Sequence, residues 1–121
     1  MSIGRITMIE FTSEEAMQAA AKLYLATQKE NFPNAQAVIN VKTGPMSVMT
    51  LSIYESYEEA EKNLVGKNKY LDSVAITIKD TFYYEGDLHY FFQDPNAEII
   101  SEYTEKDRLL FEAERKAEKS G

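Results

Sequence analysis

The sequence predicts an α+β chain: a βαββαβ sandwich with a four-stranded antiparallel sheet, both helices on one face, and a helical extension at the C-terminal end. Three observations predict it. The phrase Ile9-Glu10-Phe11-Thr12-Ser13-Glu14-Glu15-Ala16 returns as Ile53-Tyr54-Glu55-Ser56-Tyr57-Glu58-Glu59-Ala60, 44 positions later. In each, a β-prone run ends, a hydroxyl residue follows, and Glu stands three places on, which is a capping box. Between the phrases, Thr43-Gly44-Pro45 separates two further β-prone runs, and beyond them lies an aromatic-rich run.

Ile3 to Phe11 reads as the first strand, with β-branched Ile3, Ile6, Thr7 and Ile9 in a run too short for a lone helix. Thr12 then caps a helix reaching about Asn31, whose Ala16, Ala19, Ala20, Leu23, Ala26 and Thr27 make one buried stripe. Pro33 forbids its continuation. The second strand runs from Ala35 to Lys42 and the third from Met46 to Tyr54, an antiparallel hairpin about the Gly-Pro turn. Ser56 caps the second helix, with Tyr57, Ala60 and Leu64 as its stripe and Gly66 as an interruption. Leu71, Val74, Ile78 and Phe82 continue at helical spacing, although Val74 to Ile78 suits a strand equally. The expectation is a broken helix to about Thr81 and a final strand from Tyr83 to Phe92.

Residues 1–93 are therefore expected to form the sandwich and 94–121 the extension. Asp94-Pro95 resembles a helix start, and Thr104 followed by Asp107 is a second one. Leu109, Leu110, Ala113 and Ala117 form a narrow apolar stripe, and the tail from Arg115 is expected to fray. The extension is expected to pack on the core or on a partner subunit.

Composition excludes several function classes. At 121 residues the chain is long enough to bury roughly two-thirds of its unfolded surface without staples. It has no cysteine, so disulfides and thiolate chemistry are excluded, and one histidine leaves little for a zinc site. A net charge of −7, with basic residues scattered, disfavours nucleic-acid binding. No apolar run approaches a membrane span, and Met1 to Arg5 carries no signal-peptide pattern, so a cytoplasmic protein is expected. No Gly-rich phosphate loop, nucleophile elbow or metal-ligand spacing is present, and neither a cofactor nor a metal is expected.

Folding the halves together, with the two central strands taken as parallel, sorts the side chains by face. Met49, Leu51 and Ile53 then lie under the helices, and Val48, Thr50, Ser52 and Tyr54 on the open face. Carrying the 44-residue offset back pairs Ile9 with Ile53 and Glu10 with Tyr54. It also puts Arg5 and Thr7 beneath the helices, so that either the symmetry decays toward Ile3 or Arg5 escapes at the sheet edge. Ile6, Met8, Val48 and Tyr54 would make the open face too apolar to leave wet, so a second copy of the chain is its expected cover.

The order of elements, the phrases at Thr12 and Ser56-Tyr57-Glu58-Glu59-Ala60, and the late run Tyr83-Tyr84-Glu85-Gly86-Asp87-Leu88-His89-Tyr90 resemble the dimeric α/β-barrel superfamily of ferredoxin-like proteins. That superfamily includes antibiotic-biosynthesis-type monooxygenases. The resemblance spans about residues 3 to 92. It implies a homodimer whose sheets close into a barrel, with a pocket in the lumen or between sheet and helices. The tryptophan often found in the pocket of those enzymes is absent, and Asn40 and Asn63 are the loose candidates for their asparagine.

Two constellations could carry chemistry. His89, the one imidazole of the chain, would share a strand face with Glu85, Asp87 and Phe91, as an acid–base candidate or as a plain surface or interface residue. Tyr54 beside Glu10 could orient a phenol or carbonyl, with Thr50, Ser52 and Asn40 supplying uncharged hydrogen bonds; the bland alternative is a solvent-facing strand end. The cluster Tyr83, Tyr84, Tyr90, Phe91 and Phe92 suits an interface. Three readings follow: a homodimer binding a small apolar or aromatic molecule, a cofactor-independent monooxygenase or isomerase of an aromatic or polyketide-like substrate, and a structural dimer with a filled lumen.

Overall fold

A computed structural model of the chain describes residues 2–96 and 105–120. Strand β1 (Ile3–Phe11) leads into α1 (Glu14–Asn31), then the hairpin of β2 (Ala37–Gly44) and β3 (Ser47–Tyr54). Two short helices, α2 (Tyr57–Glu61) and α3 (Leu64–Val74), and a 3-10 turn at Ala75–Thr77 precede β4 (Ile78–Asp87); α4 (Glu105–Ser120) closes the chain. The sheet order is β2-β3-β1-β4 and every pairing is antiparallel. This is the expected βαββαβ, ferredoxin-like α+β fold, with an additional C-terminal helix.

Local signals act largely where expected, with small displacements. Ser56 caps α2, its hydroxyl accepting from the Glu59 amide at 3.2 Å. At α1 the cap is Ser13 rather than Thr12, accepting from the Ala16 amide at 3.0 Å. Neither half closes a full capping box, since the Glu59 carboxylate turns to Lys62 instead. The buried stripe of α1 is Met17, Ala20, Tyr24, Thr27 and Asn31, with Ala26 beside it. Ala20, Ala26 and Thr27 of the expected stripe are thus buried, and Met17 and Tyr24 join them because larger side chains fill more of the space above the sheet.

Gly66 does not interrupt a helix. The break falls at Lys62-Asn63, and Gly66 lies inside α3, where a Cβ would stand 1.9 Å from the Asn31 carbonyl oxygen. The glycine is what lets α3 approach the end of α1. Downstream, the ambiguous Val74–Phe82 run resolves as helix to Val74 and strand from Ile78, because β1 offers Ile78 to Phe82 a backbone ladder that an isolated helix lacks. That strand ends at Asp87, so residues 89–92 lie beyond it rather than in it.

The direction of the central pair also differs from the expectation. Helix α1 returns the chain so that β2 runs parallel to β1, and the hairpin then sends β3 back between them. Hence β1 and β3 are antiparallel, with Ile3 opposite Tyr54, Arg5 opposite Ser52, Thr7 opposite Thr50 and Ile9 opposite Val48. Residues directly opposite share a face. Ile9 and Phe11 belong to the core under α1 and α3, so Arg5, Thr7, Val48, Thr50, Ser52 and Tyr54 are under the helices as well. Met49, Leu51 and Ile53 turn to the opposite face, the reverse of the expected sorting. Glu10 pairs with Ser47, at the far end of β3 from Tyr54.

The core joins Ile9, Phe11, Met17, Ala20, Tyr24, Tyr70 and Val74. Tyr24 meets Tyr70 edge-on at 5.3 Å and Phe32 at 5.4 Å. A smaller cluster of Ile3, Tyr54 and Ala60 seals the other end. At the C-terminus, the Asp94 carboxylate accepts from the Asn96 amide in a turn at Pro95-Asn96. The helix start expected after Pro95 and the cap expected at Thr104 lie outside the described residues. Helix α4 continues through Ser120 instead of fraying from Arg115. It meets α1 through Lys22–Glu114 at 2.9 Å, Arg115–Glu30 at 3.2 Å and Lys22 over the Phe111 ring. Leu109 and Leu110, expected to pack, are exposed.

Candidate functional site

Between the sheet and helices α1 and α3 lies a partly open cavity of about 400 Å³. Its walls are apolar: Ile9, Phe11, Met17, Tyr24, Phe32, Tyr70 and Leu71 surround it. Its floor is not. The sheet offers Arg5 and Thr7 from β1, Thr50, Ser52 and Tyr54 from β3, and Asn40 and Lys42 from β2. A sheet face covered by helices ordinarily carries apolar side chains to exclude water. Here apolar residues sit mainly toward its ends, Ile9, Phe11 and Val48 on one side and Ile3 and Tyr54 on the other, with Val38 on β2. The exposed lining residues Gln18, Asn40 and Lys42 mark the mouth, along the β2 edge.

The inner end is held by a charged cluster. Arg5 is 5% exposed, so its guanidinium needs partners. Its Nε donates to Glu85 Oε2 at 2.6 Å and its Nη1 to the Ala60 carbonyl at 2.8 Å. Its guanidinium also stands 5.3 Å from the centre of the Tyr54 ring. The expected choice between decaying symmetry and escape at the edge is thus replaced by a third arrangement: Arg5 stays under the helices because Glu85, opposite it on β4, neutralises it. Tyr83 adds a hydrogen bond to the same Glu85 oxygen at 2.8 Å.

Titration shifts follow from this geometry. Burial pushes the Glu85 carboxyl up, but hydrogen bonds from Arg5 and Tyr83, with the charges of Arg5 and Lys67, outweigh it and hold the carboxyl below 4.5. Burial, then the bond to Glu85, pushes the Tyr83 phenol up to about 12. Burial raises Tyr70 and Tyr24 still further, so both rings present neutral hydroxyls. Lys67 of α3 is pushed down from 10.5, first by burial and then by the positive charge of Arg5, against the smaller opposite pull of Glu85. Its amine rests 3.2 Å from the centre of the Tyr83 ring.

Of the residues singled out from the sequence, Asn40, Thr50, Ser52 and Tyr54 line one cavity, and Thr50 donates to the Asn40 side-chain oxygen at 2.8 Å. Glu10 does not join them: it faces Lys79 at 3.5 Å on the surface, since the antiparallel register carries it away from Tyr54. His89 is exposed, past the end of β4 and off the strand face it was expected to share with Glu85. Asn63 is buried, with neither side-chain polar atom bonded among the described residues, and it does not line the cavity. Sequence reasoning missed Arg5, Thr7, Lys67, Tyr83 and Glu85 as a group. The alternation of Arg5, Thr7 and Ile9 was the available signal, because Ile9 was already assigned to the helix side.

On the opposite sheet face, Met8, Ile39, Val41, Phe82 and Tyr84 are exposed, flanked by half-buried Ile6, Met49 and Leu51. Beyond β4, Tyr90, Phe91 and Phe92 are exposed in a segment without regular structure. No helix among the described residues is long and apolar enough to cross a membrane.

No protein-family model matches the sequence, and no curated protein matches it. Solved structures do share its fold. A protein of unknown function from Nitrosomonas europaea aligns with a TM-score of 0.64 at 10% identity, over 78% of this chain and 96% of that one. SnoaB, a cofactor-independent oxygenase from Streptomyces nogalater, aligns with a TM-score of 0.61 at 5% identity, over 77% and 98%. A dimeric ferredoxin-like protein from an uncultured marine organism gives 0.60 at 13% identity, over 77% and 92%. At these identities the likeness is one of fold.

Proposed function

We propose that the chain is a homodimeric binding protein that takes a small aromatic molecule into the cavity between its sheet and helices. The observation that carries this reading is the polar floor. Thr7, Thr50 and Ser52 stand under the helices, where apolar residues would give a drier and more stable core, and a space of about 400 Å³ remains above them. Aromatic walls would stack on a flat ligand while the floor orients its polar groups. Dimerisation is supported by the bare sheet face: Ile39, Val41, Phe82 and Tyr84 form an apolar surface that a second copy would bury. One solved structure of this fold is itself described as dimeric.

The test is a thermal-shift screen of small aromatic compounds against the parent chain and a Thr50→Trp variant that fills the cavity. Bound compounds should raise the parent's Tm and leave the variant's unchanged. Equal shifts in both would place binding elsewhere and end this reading.

A second reading is turnover by a cofactor-independent oxygenase or isomerase. It is supported by Lys67, a cavity amine that burial and Arg5 make easier to deprotonate, and by the fold shared with SnoaB. In that reading Lys67, rather than the exposed His89, accepts a proton from the substrate. Lys67→Met would then abolish turnover while leaving a neutral aromatic compound bound.

A further inference from the structure

The charge of the cavity is at odds with the charge of the chain. The sequence carries 20 acidic and 13 basic residues, for a net −7. Yet the described residues lining the cavity include Arg5, Lys42 and Lys67 and no Asp or Glu. Uneven placement of this kind matters because a recess with low-dielectric walls focuses the field of the charges at its surface. An acidic exterior repels anions generally, whereas the ionisable groups lining this recess are all basic or phenolic.

The three cations are not equivalent. Arg5 is committed, paired with Glu85 and held by the Ala60 carbonyl. It shapes the inner end without offering a free charge. Lys67 has no carboxylate within ion-pair distance among the described residues, and its amine lies against the Tyr83 ring. A cation held on an aromatic face keeps hydrogen-bond donors available for a third group. Lys42 stands at the mouth, where it adds to the field at entry. Lys67 also feels the charge of Glu85, but that carboxylate is bonded to Arg5 and Tyr83, and the cavity lining adds the hydroxyls of Thr7, Ser52 and Tyr54, all able to donate to an anion.

We infer that the ligand of this cavity is an aromatic anion, a carboxylate, sulfonate or phenolate on a flat apolar body, whose charged group is held by Lys67 and whose body lies against the wall of Tyr24, Phe32 and Tyr70. This rests on the cavity being a binding site. It adds the ligand's charge and its orientation, head inward past the hydroxyl floor. Binding of an anion also relieves the repulsion that Lys67 feels from Arg5, which is why the amine is the natural end point.

Two fluorescent probes with the same ring body separate the two claims: anilinonaphthalene sulfonate, an anion, and N-phenylnaphthylamine, which is neutral. The parent chain should bind the sulfonate about tenfold more tightly, the effect of one charge-assisted hydrogen bond. Lys67→Met should erase that preference while leaving the neutral probe within about twofold, and Lys67→Arg should retain it. Thr50→Trp, or Ala21→Phe from the opposite wall if the first variant does not fold, should abolish binding of both probes. Equal affinities for the two probes, both lost on filling the cavity, would overturn the anion inference and keep the cavity. Binding of either probe that survives both fillings would overturn the cavity reading and the inference with it.

Discussion

Arg5 of β1 donates to Glu85 of β4 at 2.6 Å, and of the two side chains only Glu85 reaches water, at 28% exposure against 6%. That asymmetry decides which partner is costlier to lose. Removing Arg5 leaves a carboxylate that solvent and Tyr83 still serve, whereas removing Glu85 strands a buried guanidinium. Glu85→Leu should therefore cost about 3 kcal/mol and Arg5→Met roughly 1–2 kcal/mol. Urea denaturation of the two variants tests the order, and a larger loss for Arg5→Met would contradict it.

The same pair gives the stability a pH dependence. The Glu85 carboxyl lies below 4.5 in the folded chain, so between the two values the unfolded chain binds more protons. Its contribution is complete above pH 4.5 and is lost as pH falls through the lower folded value. The difference in urea midpoint between the parent chain and Glu85→Leu should accordingly narrow on acidification below pH 4.5. A gap that stays constant down to pH 2 would refute the coupling.

Lys67 should titrate below 10.5, because burial and the Arg5 charge both disfavour its protonated form. Following the lysine side-chain carbons by NMR across alkaline pH would show it. Arg5→Met removes the second cause and should move Lys67 back toward 10.5. If Lys67 keeps its position in that variant, the repulsion from Arg5 is not what lowers it.

Gly66 is placed for close approach and not for flexibility. A Cβ there would fall 1.9 Å from the Asn31 carbonyl oxygen, a backbone atom that cannot rotate away. Gly66→Ala should destabilise the chain by about 3 kcal/mol, despite the better helix propensity of alanine. A thermal melt reads this directly, and an unchanged or higher Tm would refute the contact.

The bare sheet face predicts an oligomeric state. Static light scattering should give twice the chain mass for the parent and the single mass for Ile39→Lys combined with Phe82→Glu. These positions lie on the face opposite the cavity, so probe binding inside should persist in the dissociated chain. A parent that is monomeric at high concentration would remove the dimer from the proposal.

Local chemistry made most of the fold legible. Ser56 announces a helix through its hydroxyl, Pro33 ends one through its missing amide hydrogen, and Gly44-Pro45 turns a hairpin whatever lies around it. Four of the cavity residues were visible for a similar reason, being polar positions within a β-prone run. Less legible was the stretch from Val74 to Phe82, whose short apolar run satisfies helix and strand spacing alike until β1 offers it a ladder.

By itself, then, the sequence determined the elements, their order and the alternation of side chains along each strand, because caps, turns and period-two patterns act within a few residues. Which of the two alternating sets faces the helices was decided by the tertiary structure. A strand has two equivalent faces until its register with a neighbour is set, and pairing Ile9 with Val48 rather than Ile53 exchanged them at once. That exchange brought Thr50, Ser52 and Tyr54 inside beside Arg5 and Thr7, which the sequence had already placed there, sent Met49 and Leu51 out, and moved Glu10 away from Tyr54. The ion pair that makes the inside habitable for Arg5 joins residues 80 positions apart, a distance over which no local pattern reaches.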